Sequence, residues 1–290
     1  MKLGIDIGSF NTKTSEGIIF KSSITESIEY GNKYDQIEIE GKKYYLGAGI
    51  LEGEYRKFDK DNYIPLLLGA ICKSSNSVEN SLGLGLPIKQ YSTSSKDELI
   101  NKLANKTFDV TFNNIRRRIR IMDVQVFPEG IAGIISHYNS TLYNLHNKDI
   151  VSVDMGGKTT DISLIRNKKV IQSSELNIGT IDIYNKIKEA LETKYFDVKL
   201  KLDDIEHYLK QGFYYKGERQ NISFAIKSCN DIFKDIYTEL TLKYPINISR
   251  VVFQGGGTDF LCSVLSKKIS NIIKIEDLFA NAKGYKMLLK

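Results

Sequence analysis

Residues 2–8 are apolar without strict alternation, the pattern of a strand buried on both faces. Gly8 and Ser9 turn the chain, and Asn11 to Ser15 begins a second strand, so a hairpin is predicted. Short strands follow over Phe20 to Tyr30, Tyr34 to Glu40 and Lys43 to Leu46, with turn chemistry at Tyr30-Gly31-Asn32 and Glu40-Gly41. Asp61 is placed to cap a short helix running through Leu68 and Ile71. Leu82 to Leu86, apolar with two glycines, predicts a return to the central sheet. Ser95-Lys96-Asp97-Glu98 matches a capping box that opens a helix to about Leu103. Phe108 to Phe112 and Ile115 to Ile121 read as strands about an Asn113-Asn114 turn, and Val124 to Phe127 as another that Pro128 ends. From Gly130 to about His146, Ile131, Ile134, Ile135, Leu142 and Leu145 recur at helical spacing.

The pattern then starts again. Ile150 to Val153 reads as a buried strand, followed by Asp154, a turn at Gly156-Gly157, and the hydroxyls of Thr159 and Thr160 leading through Asp161 into more strand. Ile162 to Ile165 and Val170 to Ser173 predict a hairpin through Asn167-Lys168. Asn177-Ile178-Gly179-Thr180 leads into a helix with Ile183, Ile187 and Leu191 on one face. A short helix is predicted over Asp203 to Lys210 and a longer one over Ile222 to Tyr244, which Pro245 ends. Arg250 to Gln254 is a strand that runs into Gly255-Gly256-Gly257-Thr258. A helix over Asp259–Lys267, a strand over Ile272–Ile275 and a helix over Glu276–Leu289, interrupted or bent near Gly284, complete the chain. A strand, an Asp-x-Gly turn and a second strand thus recur from residues 3 and 151, which predicts two like-built halves with a hinge near residue 148.

Composition narrows the class. At 290 residues, 41% hydrophobic and 26% charged, the chain can fill two soluble cores. No segment approaches the roughly 20 apolar residues of a membrane span, and Met1-Lys2 enters a strand at once, leaving no room for a signal peptide. Cys72, Cys229 and Cys262 are far apart, without metal-ligand spacing, and fit small hydrophobes in a reducing cytoplasm. The net charge of +6 permits contact with nucleic acid without establishing it. Arg116, Arg118 and Arg120 share one strand face beside Arg117. A solvated face, or cover for acidic neighbours, is favoured there over a phosphate or DNA stripe.

Two Asp-x-Gly turns at the starts of two halves point to one anion held from both sides. For a nucleoside triphosphate, Gly8-Ser9 and Gly156-Gly157 would bring backbone amides to phosphate without side-chain obstruction. Asp6 and Asp154, at strand ends, suit a hydrated Mg²⁺, which takes few direct carboxylates. Lys13 can reach a phosphate as a point charge, and Ser9, Asn11, Thr159 and Thr160 can donate hydrogen bonds. Hydrolysis also needs a water held in line with the γ-phosphate. Glu129, after a strand and at a helix start, is the candidate. The glycine triplet before a helix could admit the α-phosphate or the nucleoside.

In this order the motifs resemble those of the actin, heat-shock chaperone and sugar-kinase ATPase superfamily. Asp6 to Lys13 resembles its first phosphate motif, Phe127 to Gly133 its first connecting motif, and Asp154 to Asp161 its second phosphate motif. Val252 to Thr258 resembles the adenosine motif, and Ala282-Lys283-Gly284-Tyr285 a short second connecting motif. The resemblance implies an α/β chain of two ribonuclease-H-like (actin-fold) domains with a nucleotide cleft between them. Domain I would span 1–148 with a small subdomain at about 20–75, and 276–290 would pack back on it. Domain II would span 149–275, with a small subdomain at about 185–245.

Within the superfamily the chain is similar to bacterial plasmid-segregation actins of the ParM, StbA and Alp group. That implies ATP-driven, sometimes GTP-driven, filaments acting with Mg²⁺ and a DNA-binding adaptor protein on a plasmid site. Neither a membrane partner nor direct sequence-specific DNA binding is implied. Carried over, Asp6 and Asp154 organise Mg²⁺, and Glu129 and Asp154 are catalytic. Gly8, Ser9, Phe10, Asn11, Thr12, Lys13, Gly156, Gly157, Lys158, Thr159, Gly255, Gly256, Gly257 and Thr258 hold the nucleotide. Phe10 stands where many relatives carry a small or polar residue. A non-polymerising ATP-binding scaffold or a small-molecule kinase of the same superfamily is the alternative. A chaperone-like regulatory ATPase is disfavoured because no substrate-binding domain follows.

Overall fold

A computed structural model describes residues 1–28, 33–51, 56–141, 149–167 and 169–290, the last three residues of the stretch ending at 141 by backbone only. The expected first hairpin forms from β1 (Lys2–Ile7) and β2 (Asn11–Thr14), extended by β3 (Ile19–Lys21). β4 (Ser23–Thr25), β5 (Gln36–Ile39), β6 (Lys42–Leu51) and helix α1 (Tyr63–Ser74) follow. Next come β7 (Glu79–Leu86), a 3-10 turn at Ile88–Gln90, α2 (Thr93–Leu103), β8 (Thr107–Phe112) and β9 (Ile115–Pro128). The strands make one sheet in the order β3-β2-β1-β7-β9-β8-β5-β6-β4. β1, β7 and β9 run parallel, and Leu3, Ile5, Leu82, Leu84 and Val124 join α1 in the core.

β9 is one strand where two were expected. Its first part pairs with β8 and its second with β7, and a register shift opposite Asn80/Ser81 absorbs the irregularity without ending the strand. Two helix starts also differ from expectation. The cap of α2 is Ser92, whose hydroxyl accepts from the Ser95 amide at 3.2 Å, so the helix begins before the Ser95 box. α1 has Asn62, not Asp61, at its cap position, and the Asn62 amide donates to the Ser22 carbonyl (3.2 Å) instead of capping. The arginine run on β9 meets its own neighbours: Arg117 donates to the Cys72 (2.8 Å) and Ser75 carbonyls at the end of α1, Arg118 pairs with Asp109 and Arg120 with Glu79.

The second half repeats the first. After α3 (Ile131–Thr141) come β10 (Ile150–Met155), β11 (Thr160–Arg166), β12 (Lys169–Leu176), α4 (Thr180–Lys194) and α5 (Leu202–Gln211). A small hairpin of β13 (Phe213–Tyr215) and β14 (Glu218–Gln220) leads to α6 (Ser223–Lys227) and α7 (Asn230–Lys243). β15 (Arg250–Gln254), α8 (Thr258–Leu265), β16 (Ile272–Lys274) and α9 (Ala280–Leu288) complete it. The sheet order β12-β11-β10-β15-β16 matches β3-β2-β1-β7-β9 strand for strand, two antiparallel pairings followed by two parallel ones.

The single helix expected over 222–244 is broken at Ser228-Cys229, where the Ser228 hydroxyl donates to the Ala225 carbonyl (2.7 Å) and Cys229 takes the cap position of α7. No interruption falls at Gly284, since α9 is one continuous helix through it. The Tyr30-Gly31-Asn32 turn, Lys168, the helix beyond residue 141 and the hinge near 148 lie outside the described residues.

The two halves exchange helices. α3 follows β9 of the first sheet but buries Ile131, Ile134 and Tyr138 against Ile150, Ile165 and Val252 of the second. α9 follows β16 of the second sheet but packs on β1 and β7 of the first, its Tyr285 seated over Gly83 and Gly85. Where α3 and α9 cross, a Cβ at Gly284 would lie 2.0 Å from the Ala132 carbonyl, so only glycine fits.

Candidate functional site

Asp6 and Asp154 are the next-to-last residues of β1 and β10, and the turn after each strand is closed by the same bond. The Gly8 amide donates to the Asn11 carbonyl (3.0 Å), and the Gly156 amide to the Thr159 carbonyl (2.8 Å). The turns face each other across a cleft of about 730 Å³. Asp6, Gly8, Ser9, Phe10, Asn11 and Lys13 line it from one side, and Asp154, Gly156, Gly157, Lys158, Thr159, Gly255 and Gly256 from the other. Three residues of the expected set face elsewhere. Thr12 is buried with its hydroxyl on that of Ser22 (2.9 Å), Gly257 packs on the Met155 side chain, and the Thr258 hydroxyl donates to the Gly255 carbonyl (2.8 Å).

Glu129 stands in the cleft between the end of β9 and the start of α3, its amide held by the Leu86 carbonyl (2.9 Å). Its carboxylate pairs with Lys57, whose ammonium also lies 3.4 Å from Asp6. Lys13 approaches the other Asp6 oxygen at 3.8 Å. Burial opposes the charge of Lys57, yet Glu129 and Asp6 together hold its pKa above the ordinary lysine value. Burial pushes Glu129 up to about 7 against the pull of Lys57, with Asp6 adding to the rise.

Burial also raises Asp154, opposed by a hydrogen bond from the Asn281 amide (3.0 Å). Asn281 accepts in turn from the Gly130 and Gly133 amides (both 3.2 Å), tying Asp154 to the first turn of α3. In the ladders, Asp161 lies opposite Asp154 on one side and Glu175 on the other. Burial, reinforced by Glu129, Asp154 and Glu175, raises Asp161 to about 8. One of its oxygens has no hydrogen-bond partner among the described residues. Glu175 meets Lys89 of the first half at 3.3 Å.

Lys57 and Asn281 are the residues that sequence reasoning missed. Lys57 lies in an unpatterned segment before α1, and no local signal marks it. Asn281 directly precedes the Ala282–Tyr285 motif, one residue from a signal already in view. Tyr184 of α4, with Glu206 and Lys210 of α5, also lines the cleft and was given no role.

No helix among the described residues is long and apolar enough to cross a membrane. A family model for actin-like proteins, N-terminal domain, matches residues 4–131, and one for the archaeal actin homologue MreB-like, C-terminal, matches 152–267. A hydantoinase/oxoprolinase model matches 94–196, across the junction of the halves. No curated protein matches the chain. Among solved structures, the ADP complex of the archaeal actin homologue Ta0583 aligns with a TM-score of 0.84 at 20% identity, over 99% of this chain and 98% of that one. A 15-stranded ParM filament from Clostridium botulinum aligns at 0.77 and 22% identity, over 99% and 97%. The Alp12 filament aligns at 0.69 and 19% identity, over the same shares. The fold is that of actin, two ribonuclease-H-like domains about a cleft, and the chain belongs to the actin-like superfamily.

Proposed function

We propose that this protein binds ATP or GTP with Mg²⁺ in the cleft, hydrolyses it, and polymerises into filaments that segregate plasmid DNA in the cytoplasm through a DNA-bound adaptor protein. The carrying observation is the matched pair of hairpins that bring Asp6 and Asp154, each beside a glycine turn, to one cleft. The donor set suits Mg²⁺. Among the described residues no three acidic, His or Cys side chains form a dedicated metal cage. Two buried carboxylates facing a phosphate cradle are what a cation needs that keeps its waters and shares phosphate oxygens. When bound, Mg²⁺ would neutralise charge on the transferred phosphoryl group.

The chain's own groups do the remaining work. Lys13 and Lys57 supply positive charge to phosphate oxygens. Glu129, raised to about 7, can orient water and take up its proton near neutral pH. Asn281 fixes the orientation of Asp154. Tyr184, Glu206 and Lys210 offer an aromatic face and polar groups to a nucleoside. The ADP held by one relative and the filaments formed by two others support the reading.

Sedimentation tests it. Micromolar protein should pellet with ATP or GTP plus Mg²⁺ and return to the supernatant as nucleotide is consumed. Failure to pellet with either nucleotide at moderate salt overturns the filament reading.

A further inference from the structure

Phe10 belongs to the first half by sequence and to the second half by packing. It follows Gly8-Ser9 in the turn after β1, yet its side chain rests on the core of the second domain. Its ring centroid stands 6.3 Å from that of Tyr184 on α4, edge to face at 74°, and Tyr184 stands 6.1 Å from Phe260 on α8. Below the ring the two glycine turns touch. A Cβ added to Gly157 would lie 2.8 Å from the Phe10 Cβ and 3.2 Å from its amide nitrogen.

The same corner of the first sheet makes a second crossing. The Ser22 amide donates to the Phe10 carbonyl at 2.9 Å, and the preceding Lys21 reaches Asp203 in the first turn of α5. α4 and α5 carry Tyr184, Glu206 and Lys210, one wall of the cleft. That wall cannot swing away from the first phosphate turn while both contacts stand. The Lys21–Asp203 pair is solvated and adds little. The aromatic contact, half-buried against apolar side chains, is the one that resists opening.

We propose that Phe10 is a positioning residue: keyed into the second domain through Tyr184, it sets the spacing of the two phosphate turns, and it must withdraw before nucleotide can leave. This rests on the cleft being the nucleotide site. A small or polar residue at position 10 could touch the backbone of Gly157 but could not reach Tyr184, so the tie is a property of this side chain.

Release of a fluorescent ATP analogue, followed by stopped flow after mixing with excess ATP, tests the proposal. Phe10→Ala should release the analogue faster by on the order of tenfold, the loss of one aromatic contact. Its association rate and melting temperature should change much less. Phe10→Leu, which keeps apolar volume, should fall between the two, and it decides the matter if Phe10→Ala does not fold. A purely structural role would lower the melting temperature and leave the release rate of the bound fraction unmoved. Wild-type binding with equal release rates in wild type and variants overturns the positioning role alone. No binding by the wild type overturns both it and the assignment of the cleft.

Discussion

Lys13 and Asp161 occupy the same position in two copies of one hairpin: Lys13 lies across the strands from Asp6, and Asp161 lies across from Asp154. The first copy sets a cation beside its carboxylate. The second sets a buried carboxylate beside another, an arrangement unfavourable between adjacent strands unless a proton or cation intervenes. The two jaws of the cleft are alike in backbone and unlike in charge.

This asymmetry predicts a pH dependence. Asp161 titrates at about 8 in the fold and near 3.8 when unfolded. Between those values the unfolded chain binds fewer protons than the folded one, so this carboxyl makes stability fall as pH rises. Asp161→Asn cannot ionise. Without nucleotide and in chelator, its melting temperature should exceed that of the wild type by clearly more at pH 8.5 than at pH 5. An equal offset at both pH values would refute the assignment.

Glu129→Ala should lower kcat by on the order of 100-fold while nucleotide affinity stays within a few-fold. In the wild type, phosphate release should rise with pH through about 7 as Glu129 ionises. Glu129→Gln should lose that limb. A variant that turns over at the wild-type rate would remove Glu129 from the chemistry.

Lys57→Met leaves Asp6 and Glu129 buried and facing each other without their shared cation. Breaking such a pair costs on the order of 3–5 kcal/mol. The loss should be larger at pH 8 than at pH 5, where Glu129 takes a proton and the repulsion lapses. Denaturant unfolding at the two pH values measures the difference.

Gly284→Ala should cost about 1–3 kcal/mol or more, because the new methyl meets the Ala132 backbone, which cannot rotate aside. Met287→Ala, on the half-exposed face of the same helix, should stay within about 0.5 kcal/mol. Unfolding midpoints that move equally in the two variants would show that the crossing is looser than described.

Most of the strands and both phosphate turns were legible because they are local: a buried strand, a carboxylate and a glycine within a few residues. What escaped was set elsewhere. Lys57 gains its role only when the segment before α1 is folded over Asp6 of β1 and Glu129 just past the end of β9. Asn281 gains its role only where α9 meets α3 and β10. The break between α6 and α7 depends on where one serine hydroxyl turns, which periodicity does not see. At α2 only Ser95 matches the capping box, yet the earlier Ser92, a favoured cap residue without the box, takes the amide.

The exchange of α3 and α9 bears on synthesis and dissection of the molecule. The first sheet completes all its strands early, but the helix that covers β1 and β7 follows every other element in chain order. A nascent chain therefore carries an open apolar sheet face until translation reaches α9. For the same reason a cut between the halves would not yield two self-sufficient domains. Each fragment would keep the other's helix, and the pair would regain structure only by reassembling.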